Sequence, residues 1–206
     1  MSRLVKLTFP IVLLVLMVAQ ATACPPFDTQ GYATGGNNHG GSGMHNATPL
    51  TGEVFTEAKI VKSRFDLDPG DRWEEAVVCL VRTPTVTGKQ WIRTKVHVKG
   101  GLYAFSHRLG TANASVYVVL WKNGVRVSEK LVDDAVARNG TQSKLVDQVV
   151  WIGTEVYAVK GVPITFCGGI RSVASVNDKG GGTAHASFGS AERHGLVLRL
   201  AMKPMQ

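Results

Sequence analysis

The sequence predicts an all-β chain, a two-sheet antiparallel β-sandwich of jelly-roll type. Three observations carry that prediction. From about Glu53 to Lys203 the chain is rich in Val, Thr, Ile and aromatic residues, set in short runs that alternate in polarity. Turn-forming pairs punctuate the runs, Asn123-Gly124 above all. No regular strand–helix alternation occurs, which argues against a doubly wound α/β fold. Roughly eight to ten short strands with turns between them favour two packed sheets over one open sheet.

Ala58 to Leu67 reads as the first strand, and Asp68-Pro69-Gly70-Asp71 as the turn that ends it. Trp73 to Thr83 follows, stopped by Pro84. Cys79 alternates with Val77 and Val81, which puts it on an inner face. Gln90 to Lys99 alternates most cleanly. Ile92, Thr94, Val96 and Val98 point one way; Trp91, Arg93, Lys95, His97 and Lys99 point the other. Gly100-Gly101 separates this strand from Leu102 to Ser106. Ser115 to Trp121 is apolar on both faces and therefore central. The type I′ turn favoured by Asn123-Gly124 returns Val125 to Leu131 onto it. Leu131 to Arg138 fits a short helix stopped by Asn139-Gly140, or a strand; strand or irregular chain suits its neighbours better. Lys144 to Ile152, Glu155 to Val159, Ile164 to Cys167, Ser172 to Val176 and Thr183 to Phe188 read as strands. In the last strand Leu196, Leu198, Leu200 and Met202 point inward, and Val197, Arg199 and Lys203 outward.

Two segments precede this domain, which is assigned to residues 53–206. Residues 1–23 carry Arg3 and Lys6, then an apolar run from Leu7 to Ala19, then Ala21 and Ala23. That order reads as a cleaved signal peptide. The run is shorter than the roughly 20 residues a bilayer-spanning helix needs. An extracytoplasmic protein is expected, secreted or anchored at the cell surface. Residues 24–52 read as a flexible tether. Between Gly31 and Gly43 they are dense in glycine and uncharged, with too little apolar surface to offset ordering. His39, Met44 and His45 lie there. They are donor types that copper accepts, although histidines on a mobile spacer are more simply solvated.

The formal charge is +8, and removal of residues 1–23 lowers it by two. The basic residues are scattered. That distribution suits an anionic polysaccharide or another anionic cell-surface component. It lacks the concentrated patch or motif of a nucleic-acid binder. The cysteines are Cys24, Cys79 and Cys167. In an oxidising compartment an odd count leaves one over, and the simplest partition is a Cys79–Cys167 disulfide with Cys24 apart. Two buried free thiols are the alternative. Ala21-Thr22-Ala23-Cys24 resembles the lipobox of bacterial lipoproteins, with Ala21 where that family usually has Leu. The resemblance implies lipidation of Cys24 and a membrane contact through that anchor alone.

Three further constellations bear on function. Trp91, Arg93, Lys95, His97 and Lys99 form a basic strand face with an aromatic at one end. A ring to stack on sugar and cations to meet acid groups point to an anionic glycan. Asp66, Asp68 and Asp71, with Glu74 and Glu75 beyond, offer hard oxygen ligands for Ca²⁺, though not at EF-hand spacing; no other cofactor is implied. Asn46, Asn113 and Asn139 begin glycosylation sequons, all in the tether or in predicted loops. His97, His107, His185 and His194 lack a G-x-S-x-G elbow or an H-E-x-x-H helix, so no catalytic residue is assigned. The expected function is non-catalytic binding of a surface glycan or another cell-surface component. The alternatives are a self-associating structural subunit of an extracellular coat or appendage, and a hydrolase on a sandwich scaffold.

Overall fold

The computed structural model describes residues 29–38, 41–63, 65, 68–107, 110–177 and 181–205, the first stretch by backbone alone. The signal-peptide segment, Cys24, His39 and Asp66 lie outside the described residues.

Two antiparallel sheets pack face to face. The first holds β1 (Thr29–Asn38), β4 (Gly70–Arg82), β9 (Ile164–Val176), β6 (Ala112–Lys122) and β7 (Val125–Ala137), in that spatial order. The second holds β2 (Ser42–Thr48), β3 (Glu53–Lys62), β5 (Gly88–Ser106), β8 (Gly140–Ala158), β10 (Gly182–Phe188) and β11 (Gly195–Pro204). β10 and β11 lie end to end in one slot between β3 and β5. Counted as one interrupted strand, they give β3-β10/β11-β5-β8 facing β4-β9-β6-β7. Strands of the first half thus alternate with strands of the second half in each sheet, as in a jelly roll. β1 and β2 extend the two sheets on one side.

The period-2 alternation builds the core. From the first sheet Val78, Leu80, Val116, Val118, Leu120, Phe166 and Ile170 point inward; from the second, Ile60, Ile92, Val96, Val98, Leu102 and Phe188 meet them. Full burial of such a side chain contributes about 1.5–3 kcal/mol. Asn123 and Gly124 have φ of 48° and 79°, as a type I′ turn requires. The Asn123 side chain accepts the Thr165 N–H at 2.9 Å, which ties the β6–β7 hairpin to β9.

Several expectations need correction. The stretch read as a spacer lies within the sandwich: Ser42–Thr48 pairs with β3, and Thr29–Asn38 with β4. Backbone pairing at an edge needs no apolar side chain, which is why composition alone misreads it. Gly100-Gly101 does not divide β5, because Gly100 lies directly against the Phe188 ring, where a Cβ would stand 2.3 Å from it. β8 likewise runs unbroken and pairs with β5 from Gly88↔Ala158 to Ser106↔Gly140. The first predicted strand is shifted, to Glu53–Lys62. Of the two readings left open for Leu131 to Arg138, the favoured one holds: Leu131 to Ala137 is strand. In β11 a register irregularity between Val197 and Arg199 reverses the alternation. Val197 is therefore buried and Leu198 exposed; Leu200 keeps its inward place.

The Cys79–Cys167 disulfide is present and joins residues 88 apart in sequence. The two cysteines are direct partners across β4 and β9. They lie on the outer face of the first sheet, not the inner one, since Ala76, Val78 and Leu80 occupy the core side. A satellite cluster of Val77, Val119, Tyr117 and Trp121 surrounds the bridge. The Trp121 indole N–H donates to Glu75, and Arg126 approaches the same carboxylate at 3.4 Å. Glu75 is 2% exposed, and that burial pushes its pKa up against the pull of Arg126, Trp121 and Arg171. Its neighbour Glu74 points the other way, between the sheets, where Arg72 and His45 pair with it.

Two outcomes follow from this face. Replacing Cys79 and Cys167 together by Ser should cost roughly 4–5 kcal/mol on the chain-entropy model, measured by urea unfolding. For Glu75, the native state binds a proton more tightly than the unfolded chain does. Its contribution to stability is therefore fully present below the ordinary value of 4.5 and is lost as pH rises through the elevated one. Glu75→Gln keeps an acceptor for Trp121 and should flatten this part of the stability–pH profile. Glu75→Ala should instead cost about 1–3 kcal/mol by leaving the indole N–H unpaired.

Candidate functional site

The outer face of the second sheet gathers what the sequence places on β5. Trp91, Arg93, Lys95, His97 and Lys99 all point outward, opposite buried Ile92, Thr94, Val96 and Val98. The β5–β8 register then brings partners that the β5 alternation cannot show. Trp151 stands opposite Lys95, Gly153 opposite Arg93, Asp147 opposite Lys99, and Tyr157 opposite Lys89. On the other flank β11 sets Arg199 beside Lys95 and Lys203 beside Trp91.

Trp91 and Trp151 are each 41% exposed. They flank a cavity of about 310 Å³ whose floor includes Gly153, Ile152 and Arg93. Gly153 is required there, because a Cβ would stand 2.7 Å from the Trp91 indole nitrogen. Arg93 and Lys95 stack on the Trp151 ring at 5.1 Å and 5.3 Å from its centroid. These cations hold the indole upright and keep their charge at the groove.

Few acids neutralise the face. Lys89 pairs with Glu155 at 2.8 Å, and His97 Nε2 contacts Asp147 at 2.6 Å. The His97 hydrogen bond, backed by the charges of His97 and Lys99, holds the Asp147 carboxyl below its usual range. Among the described residues no carboxylate lies within ion-pair distance of Arg93, Lys95, Lys99, Arg199 or Lys203.

The other sequence candidates do not converge. Asp68 lies in the turn before β4, and Asp71, on β4, pairs with Ser175 of β9, while Glu74 and Glu75 are drawn to opposite faces. Among the described residues no group of three acids, histidines or cysteines stands at metal-binding distance. Asn139 is exposed in a turn, and Asn46 is exposed on β2. Asn113, expected in a loop, lies on β6 with its Oδ1 buried. His107 meets the Phe105 ring edge-on at 4.7 Å, and His194 lies 5.8 Å from Phe55. His185 contacts Glu57 at 2.9 Å. Sequence reasoning missed Trp151, Tyr157, Arg199 and Lys203. Each alternates outward on its own strand, but only pairing register shows that they share a face with Trp91.

No family model and no curated protein matches the chain. Among solved structures it is similar to TmCBM61 in complex with β-1,4-galactotriose, at 8% identity over 81% of this chain and 88% of that one, TM-score 0.22. The family 11 carbohydrate-binding module of Clostridium thermocellum, in complex with a β-1,3-1,4-mixed-linked tetrasaccharide, is similar at 14% identity over 84% and 92%, TM-score 0.22. The enzymatically active domain of bacteriophage CBA120 tailspike protein 4 is similar at 6% identity and TM-score 0.21; the match covers 85% of this chain but only 20% of that one. Superpositions this loose carry no argument about a ligand.

Gly153→Ala tests the groove floor. The added methyl should displace the Trp91 indole and change tryptophan emission, at a stability cost of about 1–3 kcal/mol. Unchanged emission would show that Trp91 does not rest on Gly153.

Proposed function

We propose that the protein is an exported, non-catalytic sandwich that binds an anionic glycan on the outer face of its second sheet. One observation carries the reading. Two half-exposed indoles flank a groove over Gly153, beside Arg93 and Lys95, which no described carboxylate pairs with. Indole faces are flat and apolar, which suits the C–H face of a sugar ring. Arg93, Lys95 and Lys99 then meet carboxylate or sulfate groups on the same chain. The rigid ladder beneath fixes all of these groups before a ligand arrives, which lowers the ordering cost of binding. Export rests on residues 1–23, and attachment through a lipidated Cys24 is the form that the lipobox resemblance suggests. Mass spectrometry of the mature N-terminus separates the anchored from the free form.

A second reading has one observation in its favour. β8 is an edge strand, and it exposes Leu145 by 85% and Tyr157 by 64%. Such an edge is a template for pairing with another copy, as a structural subunit would use. Concentration-dependent size-exclusion chromatography tells the two apart.

Calorimetric titration with polygalacturonate and, in parallel, dextran sulfate tests the glycan reading and distinguishes carboxylate from sulfate as the recognised group. Binding should weaken as salt rises, because the exposed cations are screened within about 8 Å at physiological ionic strength. Trp91→Ala and Trp151→Ala should each lower affinity about tenfold or more, as truncation of an aromatic anchor does. No heat beyond dilution with either polymer, or full affinity in the double variant, would overturn the reading.

A further inference from the structure

The cavity at the indole pair is not alone on this face. Two more cavities lie in file with it along β5 and β8. One, of about 580 Å³, is lined by Lys99, Asp147, Arg193 and His194 among others. The other, of about 260 Å³, is lined by Tyr103, Ser143, His185 and Arg193 among others. Both owe their walls to the slot that β10 and β11 share. β10 stops at Phe188 and β11 starts at Gly195, so the residues between them leave the sheet. Ser190 and Arg193 close that loop with mutual backbone hydrogen bonds of 3.0 Å and 2.9 Å, and Lys99 N–H donates to His194 O at 3.0 Å to moor it over β5. The Arg193 Nη1 consequently lies above Gly101, 3.8 Å from where a Cβ would stand. Tyr103 is 39% exposed beside it, and the Glu57 contact fixes His185 on the far wall.

We propose that this far cavity is a second subsite, and that the face takes an internal stretch of a long acidic polysaccharide laid along β5. The proposal rests on the glycan reading above and adds to it the length and run of the ligand. From Trp91 to Tyr103 the strand spans roughly 40 Å at its usual rise of about 3.3 Å per residue. Over the first half of that span Arg93, Lys95 and Lys99 lie on one side at the strand's two-residue repeat of about 7 Å, with His97, held by Asp147, between the last two. A small ligand meets one or two of them. A polymer with a repeating charge meets the whole series, with an aromatic platform at each end: Trp91 and Trp151 at one, Tyr103 beside Arg193 at the other. The cavities are open clefts in line, not enclosed pits, so the ligand passes through and its ends are not read.

Two linked subsites convert the second contact into an intramolecular one, so affinity should climb steeply once a chain spans both. Oligogalacturonates fractionated by length are the probe, titrated calorimetrically against the full chain. Oligomers long enough to reach from Trp151 to Tyr103 should bind at least about tenfold more tightly than short ones. A Tyr103→Ala, Arg193→Ala double variant should abolish that gain and leave the affinity for short oligomers unchanged. Both positions are exposed or half-exposed and outside the core; near-wild-type melting of the variant checks its fold. Equal affinity for short and long oligomers overturns the second subsite, and so does a length gain that survives the double variant. In either case, loss of binding in Trp91→Ala still supports the single-site reading. If no oligomer and no polymer binds, the glycan reading itself fails and the second subsite with it.

Discussion

The β5–β8 ladder is the constraint on which the rest depends. Each strand runs nineteen residues without interruption, paired from one end to the other. A strand has only two faces, so this one ladder commits every second residue of β5 to the core and every other one to solvent. Ile92, Val96, Val98 and Leu102 anchor the sandwich because Trp91, Lys95, His97 and Tyr103 cannot. A slip of one residue would bury the cations and expose the core. Stability and the candidate site are therefore set by the same register, and neither can drift without the other.

The two outer faces meet water differently. On the first sheet, Trp121 is spent covering Val77, Val119 and the disulfide, and its N–H is taken by Glu75. Arg171 is likewise engaged, over the Trp73 ring at 5.0 Å and near Glu129 at 3.7 Å. Aromatics and cations are present there, but each already satisfies a neighbour. On the second sheet the indoles flank a cleft, and most cations lack a described acidic partner. Composition alone would rank these faces alike. What separates them is whether their polar groups are already paired.

Much of this was legible in the sequence because period-2 alternation reports side-chain direction directly. The basic face of β5 is read from Gln90 to Lys99 without a structure, and Asn123-Gly124 gives the β6–β7 hairpin. Where alternation is uninformative, the reading failed. Val77 to Val81 is apolar on both sides, so the alternation put Cys79 on the wrong face, although its pairing with Cys167 could be anticipated. Leu198 defeats the pattern because a bulge inserts one residue. The glycines of 31–43 argued for a spacer because composition weighs side chains, while an edge strand is held by its backbone. Gly100 looked like a break because its reason lies in the Phe188 ring, far away in sequence. None of the missed face residues carries a motif; they are functional candidates only by register.

The shared slot of β10 and β11 links that register to the shape of the groove. A single continuous strand there would leave the face flat, with side chains as its only relief. The interruption lifts the 189–194 turn above β5, and the backbone bond from Lys99 to His194 holds it there. Gly153 beneath Trp91 is the complementary omission, removing a Cβ that would stand 2.7 Å from the indole nitrogen. An otherwise flat sheet acquires relief from one added loop and one absent side chain. Because the cavities are set along β5, their line is the strand's own, and the cation spacing is the strand's repeat. A ligand matched to it must be extended, regularly charged and long relative to its width, which is the description of a linear acidic polymer.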